Sequence, residues 1–218
     1  MASLQPHITV GIVDDEAFVR SALRVYLSNT EDIEVIGEAA GGTEALSMVE
    51  SSNPDVLLLD LQMPDLDGVE VTRRLREKGF TTRIVVVTAH VDDQYVTPAL
   101  LAGASGYIVK DSEPQKIVQS VRDVTRGELV IDPQVIRYLI DAASRSTPAK
   151  HSGVSAVTER EKQVLQELCA GSSNSEMASH LFLSESTIKY YLSNLMRKFQ
   201  SRDRVQLIVS AFRAGLVA

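Results

Sequence analysis

Five short apolar runs recur between residues 8 and 110: ITVGIV from residue 8, IEVIGE from 33, VLLLD from 56, IVVVTA from 84 and GYIVK from 106. Helical patterns separate them, near 16–28, 42–51, 67–78, 92–102 and 114–126. No other feature restricts the fold so strongly. A strand followed each time by a helix describes a doubly wound α/β domain on a parallel sheet, the flavodoxin-like (βα)5 arrangement. The third run is apolar at every position, which calls for cover on both of its faces.

The runs end in residues that carry chemistry. Asp14 and Asp15 end the first, Asp60 the third, Thr88 the fourth and Lys110 the fifth. In open sheets of this class ligands sit at the carboxyl ends of the strands, and the flavodoxin-like order makes strands one and three neighbours, so all five side chains converge on one edge. Each ionised carboxylate pair at about 4 Å would cost on the order of 4 kcal/mol at an effective dielectric near 20. A cation must offset this, and Mg2+ (or Mn2+) suits an all-oxygen site that keeps waters and bridges a phosphate. Asp60 can then act as a nucleophile toward phosphorus, with Lys110 stabilising charge on the transferring group and the Thr88 hydroxyl donating to a phosphoryl oxygen. Taken singly, each residue reads as a cap or an ion-pair partner. Five of them at the ends of four strands read as a site.

The net charge of −7 is unevenly spread. Residues 1–149 carry 13 Lys+Arg against 23 Asp+Glu, whereas residues 150–218 carry 9 against 6, so only the second part suits a polyanion. Cys169 is the only cysteine, which excludes an intrachain disulfide. No apolar run approaches the roughly 18 residues of a membrane helix, and the start MASLQPHITV lacks the basic and apolar regions of a signal peptide. The expectation is a cytoplasmic protein with no membrane association.

Within GELVIDPQVIRYLIDAAS, Val135, Ile136, Leu139 and Ile140 have helical spacing behind an Asp132 cap and Pro133, which reads as a connecting helix. The following SRSTPAKHSG has nothing to bury and reads as a linker. From residue 157 the pattern is helical throughout. Thr158 with Glu161 and Ser173 with Glu176 form S/T-x-x-E capping boxes, and Ser184 can cap a third helix. Domain boundaries are expected at 1–128, 129–153 for the connecting segment, and 154–218 for a small four-helix domain.

In SESTIKYYLSNLMRKF, Ile188, Leu192, Leu195 and Phe199 form one stripe. Ser186, Tyr190, Ser193 and Arg197 lie opposite, with Lys189 beside them. A small, polar, basic face suits a helix in the major groove of double-stranded DNA. Lys189 and Tyr190 would reach bases. Arg197, Lys198 and the capped helix start would meet phosphates.

IVDDE, VLLLDLQMPDLDG, VVVTAH and GYIVKD resemble, in order and over residues 8–128, the receiver domain of two-component response regulators. The resemblance implies that Asp60 is the phosphoacceptor. It further implies that Asp14, Asp15, Asp60 and the Gln62 backbone carbonyl hold the metal, and that Thr88, Tyr107 and Lys110 form a switch. Gln62 and His90 would tune the lifetime of the phosphate, and Pro64 and Gly68 would be turn residues. Residues 155–217 are similar to the LuxR-type helix-turn-helix of the NarL/FixJ regulators, which adds Ser173, Asn174, Ser184 and Thr187 to the DNA-contacting set. In the same family the last helix pairs protomers, here through Val205, Ile208, Val209 and Phe212. The whole implies a transcription regulator that a sensor histidine kinase phosphorylates and that binds DNA as a homodimer.

Three alternatives differ in class. A phosphohydrolase would need an acid two residues after the nucleophile, where Gln62 stands. A ligand-sensing regulator would need an aromatic-lined pocket, and the chain has no Trp. Binding of RNA would favour more stacking aromatics than Tyr190 and Tyr191.

Overall fold

The computed structural model describes residues 7–89, 93–131, 135 and 157–217. It divides into two compact units, Met1–Arg126 and Gly127–Ala218. The division falls two residues before the expected end of the first domain. Gly127, at a φ of 73°, takes the left-handed position that ends the preceding helix, and the chain after it packs with the second unit.

In the first unit, strands β1 (Ile8–Val13), β2 (Ile33–Ala39), β3 (Val56–Leu59), β4 (Arg83–Thr88) and β5 (Gly106–Val109) form one sheet in the order β2-β1-β3-β4-β5. Every pairing is parallel. The helices are α1 (Ala17–Ser28), α2 (Gly42–Ser52), α3 (Gly68–Glu77), α4 (Asp93–Ala102) and α5 (Pro114–Thr125). All four β3 residues are wholly buried, as an all-apolar central strand requires. Helix α1 packs beside α5, while α2, α3 and α4 lie side by side. One core joins Val13, Leu57, Leu59 and Ile84 of the sheet to Ala45, Val49, Val71 and Leu75 of α2 and α3.

The acids behind Asp60 are structural. Asp65 accepts from the Gly42 and Thr43 N–H groups at 2.9 Å each, so it caps α2 from the β3–α3 loop. These bonds hold its carboxyl well below the usual carboxylate range, chiefly through Thr43. Asp67 is the N-cap of α3 and accepts from Glu70 N–H at 2.7 Å.

Gly68 stands where β3 hands over to α3, and the reason is close approach, not turn geometry. A Cβ there would lie 2.3 Å from the Asp60 carbonyl oxygen and 2.9 Å from Leu61 Cα, both main-chain atoms. Gly68→Ala is expected to cost about 1–3 kcal/mol of overpacking and to displace Asp60. Denaturant unfolding and acetyl phosphate labelling check this, and labelling at the wild-type rate would show that the loop yields without moving the carboxylate.

The second unit holds α6 (Glu159–Cys169), α7 (Asn174–Leu181), α8 (Glu185–Lys198) and α9 (Arg204–Arg213). Thr158 and Ser173 make the expected reciprocal capping boxes with Glu161 and Glu176, and Ser184 caps α8 by accepting from Thr187 N–H. Val164, Leu165, Leu168, Met177, Ile188, Leu192, Leu195, Leu207 and Ile208 form its core. The expected connecting helix and linker lie outside the described residues, except Val135, which is helical and fully buried. Among the described residues no helix is long and apolar enough to cross a membrane.

Candidate functional site

The sheet order brings β1 and β3 side by side, with Val13 registered against Leu59, so the residues that follow both strands share one edge. Asp14, Asp15 and Asp60 each offer a carboxylate oxygen within 4.8 Å of the others. Asp14 and Asp60 are buried, at 1% and 4% exposure, and Asp15 is exposed. Lys110, which follows β5, sends its ammonium across the edge to within 3.0 Å of Asp60 Oδ2 and 2.7 Å of Asp14 Oδ2. Glu16 at 3.5 Å is a more distant, exposed partner.

The main chain fixes these groups. Asp60 N–H donates to the Val13 carbonyl, and Leu61 N–H donates to Asp60 Oδ1 at 2.8 Å. Glu16 N–H donates to Asp14 Oδ1 at 3.0 Å. Lys110 N–H donates to the Thr88 carbonyl at 2.7 Å, which ties the end of β5 to the end of β4. Thr88 and Tyr107 are both buried, and Tyr107 is registered against Val86 of β4. Gln62 is exposed in the loop two residues after Asp60, and His90 lies outside the described residues.

Burial raises the Asp14 carboxyl above its ordinary value and Asp60 adds to the rise, against the pull of Lys110 and the Glu16 N–H. Burial alone would lower the Lys110 ammonium, but its bonds to Asp14 and Asp60 outweigh this and leave it raised. Two carboxylates no more than 4.8 Å apart repel by at least roughly 3.5 kcal/mol at an effective dielectric near 20. Three carboxylates and one ammonium leave a local charge of −2, which a divalent cation balances. Although Lys110 pairs with it as an ion, Asp14 Oδ2 is a buried acceptor with no properly aligned hydrogen-bond donor. The residues therefore fit a hard, oxygen-liganded cation such as Mg2+. A cavity of about 490 Å³ opens elsewhere on this unit, between His7, Asn53, Asp55, Arg83 and Thr125, and includes none of these groups.

On the second unit, Ile188, Leu192 and Leu195 face inward, while Ser186, Lys189, Tyr190, Ser193 and Arg197 are exposed along one side of α8. Ser184 and Ser173 are exposed at the starts of α8 and α7, their hydroxyls engaged in the caps, and Thr187 is half-buried. Three groups of the expected residues are engaged or covered within the chain. Lys198 turns away from the outer face and donates to Glu161 Oε2 at 2.7 Å, because the buried Glu161 carboxylate attracts it. Asn174 is only 6% exposed, and its amide donates to Glu128 at 3.0 Å. Val205, Ile208, Val209 and Phe212 are all buried, Ile208 and Phe212 in the core of the second unit.

Residues 10–122 match the response regulator receiver domain, and residues 155–211 match the luxR family of bacterial regulatory proteins. The chain belongs to the two-component response regulators. It joins a receiver to a LuxR-type DNA-binding output domain, the NarL/FixJ architecture. It is 38% identical to the transcriptional regulatory protein YhcZ of Bacillus subtilis, over 94% of this chain and 95% of that one. It is 36% identical to the response regulator VraR of Staphylococcus aureus, over 96% and 99%. Among solved structures it is similar to the response regulator ChrA of a heme-sensing two-component system, with 31% identity, a TM-score of 0.53, and coverage of 97% and 100%. The receiver of NarL from Mycobacterium tuberculosis shares 35% identity at a TM-score of 0.55, over 57% of this chain and all of that one.

Sequence reasoning missed the helix-capping role of Asp65 and the Glu161–Lys198 and Glu128–Asn174 pairs. Only Asp67 had a local signal, the D-x-x-E spacing to Glu70.

Proposed function

We propose that Asp60 accepts the phosphoryl group, that Asp14, Asp15, Asp60 and the Gln62 carbonyl hold Mg2+ (or Mn2+), and that Thr88, Tyr107 and Lys110 read the modified state. The observation that carries this is the buried Asp60 carboxylate held 3.0 Å from Lys110 beside two further acids. Mg2+ supplies charge neutralisation of the transferring phosphoryl oxygens. An Asp60 oxygen attacks phosphorus, an O–P bond forms, and the bond from phosphorus to the donor nitrogen of a sensor histidine kinase breaks with its electron pair leaving on the donor. A carboxylate nucleophile needs no general base. Once Asp60 carries the phosphoryl group as an acyl phosphate, Lys110 loses one carboxylate partner and gains a phosphoryl oxygen, and the Thr88 hydroxyl donates to another.

The kinase meets this edge beside α1. Phe18 is 84% exposed and Val25 56% exposed, seven residues apart on one face of the helix that starts next to Asp14 and Asp15. Phosphorylation favours a homodimer that places two α8 helices on adjacent half-sites of double-stranded DNA. Lys189 and Tyr190 reach base edges, Ser186 and Ser193 line the contact, and Arg197 with the capped start of α8 at Ser184 and Thr187 meets phosphates. The domain plan is a receiver, a connecting segment and an output domain, in a cytoplasmic protein.

Footprinting of regulated DNA with and without beryllofluoride and Mg2+ tests the reading. Protection is expected to extend and to tighten at least tenfold with the phosphate mimic. Equal protection in both states would sever the receiver from DNA binding.

A further inference from the structure

A residue at positive φ stands close behind each helix of the second unit: Gly171 after α6, Phe182 after α7, Gln200 after α8 and Gly215 after α9. Glycine takes this conformation without strain, and the exposed Gln200 side chain at least meets water. Phe182 has neither advantage. At a φ of 53° and a ψ of 47° its backbone is strained, and the residue is 95% exposed. Backbone and solvent both oppose a phenylalanine at this position.

The turn that carries this residue is well fixed. Leu183 N–H donates to the Ala178 carbonyl at 2.9 Å, closing the end of α7, and the Arg160 guanidinium donates to the Leu181 carbonyl. Leu181 and Leu183, on either side of Phe182, pack on the core of the second unit. An aromatic presented on a preorganised turn loses little entropy when it binds. Two residues further on, Ser184 caps α8, and the hydroxyls of Ser184, Ser186 and Thr187 cluster there. Two residues span at most about 7 Å, which is less than the roughly 12 Å width of the major groove. A helix that enters the groove by its start therefore brings Phe182 against the same duplex. Among the described residues of the second unit, the large exposed hydrophobics are Phe182 and Tyr190, set among hydroxyls and the basic Lys189. A protein partner would ask for a contiguous apolar patch. Duplex DNA instead offers isolated apolar spots in a polar wall, the deoxyribose carbons and the thymine methyl groups.

We propose that Phe182 is an apolar anchor on duplex DNA, its ring packing on deoxyribose carbons and thymine methyl groups at the edge of the groove that α8 enters. This role rests on the DNA-binding reading above and adds to it a contact that carries no charge.

The test uses the full chain with beryllofluoride and Mg2+, on the duplex that it protects in footprinting. Phe182→Gly relieves the backbone and removes the ring, so its second unit should unfold no earlier than wild type while its DNA affinity falls at least about fivefold. Phe182→Leu, which keeps an apolar side chain, should recover part of that loss. The log–log salt slope should stay at the wild-type value in both variants, because an apolar contact releases no counterion. The same duplex with uracil in place of thymine separates the two apolar sources. A loss of affinity that wild type shows and Phe182→Gly does not assigns the methyl groups, whereas an equal response of the two proteins assigns the sugar. Phe182→Gly binding the duplex as tightly as wild type would overturn the anchor alone, and a change in promoter output at unchanged DNA affinity would give Phe182 to a protein partner instead. A wild-type chain that protects no duplex would overturn the DNA-binding reading and the anchor with it.

Discussion

Asp60→Asn should reduce covalent labelling by acetyl phosphate to background, the largest single effect expected for this chain. An amide oxygen lacks the nucleophilicity of a carboxylate, and no other acid on that edge has the same placement. Asp14 is buried against Lys110 and the Glu16 N–H, and Asp15 is exposed at the rim. The substitution also takes the cluster from −2 to −1, so the divalent ion should bind at least tenfold more weakly, which calorimetric titration with Mg2+ measures. Folding should survive, because asparagine can keep the Leu61 N–H bond and removes one partner of a repelling carboxylate set. Intact-mass analysis after incubation with acetyl phosphate gives the answer directly. Phosphorylation of the Asp60→Asn variant, with the label mapped to Asp14 or Asp15, would move the acceptor off β3.

Glu161→Ala should cost the second unit about 3–5 kcal/mol, the range for breaking one side of a buried ion pair. The Glu161 carboxylate accepts from Thr158 N–H at 2.9 Å, from Thr158 Oγ1 at 3.0 Å and from Lys198 Nζ at 2.7 Å, at 5% exposure. Its loss opens the capping box of α6 and leaves the half-buried Lys198 without its anion. The unfolding transition of the second unit should fall, with receiver labelling by acetyl phosphate unaffected. The same residue gives a sign for pH. Burial opposes ionisation of Glu161, but the Lys198 and Thr158 bonds outweigh it and hold the carboxyl below its ordinary value. A depressed carboxyl pKa stabilises the fold above the unfolded-state value, and this contribution disappears as pH falls through the folded-state value. The acid limb of the second unit's stability should therefore flatten in Glu161→Gln. Lys198→Met provides the contrast with a DNA-contact role: it should lower the melting temperature and leave the salt slope of DNA binding unchanged, whereas Arg197→Met should do the reverse.

Much of this molecule was legible in short stretches of sequence. The five strands follow from continuous apolar runs and the five receiver helices from an apolar period of 3.6, and their ends fall within a residue or two of the expected positions because Pro, Gly and capping residues punctuate them. The acidic edge was legible for the same reason, since parallel strands all point their carboxyl ends one way and four of the five runs end in a reactive residue. On α8 the helical wheel separated the buried Ile188, Leu192 and Leu195 from the exposed Ser186, Lys189, Tyr190, Ser193 and Arg197. On α9 an apolar stripe states that a face is covered without stating whether its own domain or a partner covers it. Val205, Ile208, Val209 and Phe212 are covered within this chain. On α8 the wheel places Lys198 beside the exposed face, and the structure pairs it with Glu161.

What the sequence determined by itself is therefore the kind of each element, its order, and the convergence of Asp14, Asp15, Asp60 and Lys110, all properties that local periodicity and parallel topology carry. The tertiary structure decided which charge answers which. Asp65 reaches back 22 and 23 residues to cap α2, Lys198 crosses 37 residues to Glu161, and Asn174 finds Glu128 across 46. A carboxylate binds whatever donor the completed packing brings within about 3 Å, and no spacing along the chain encodes that donor in advance.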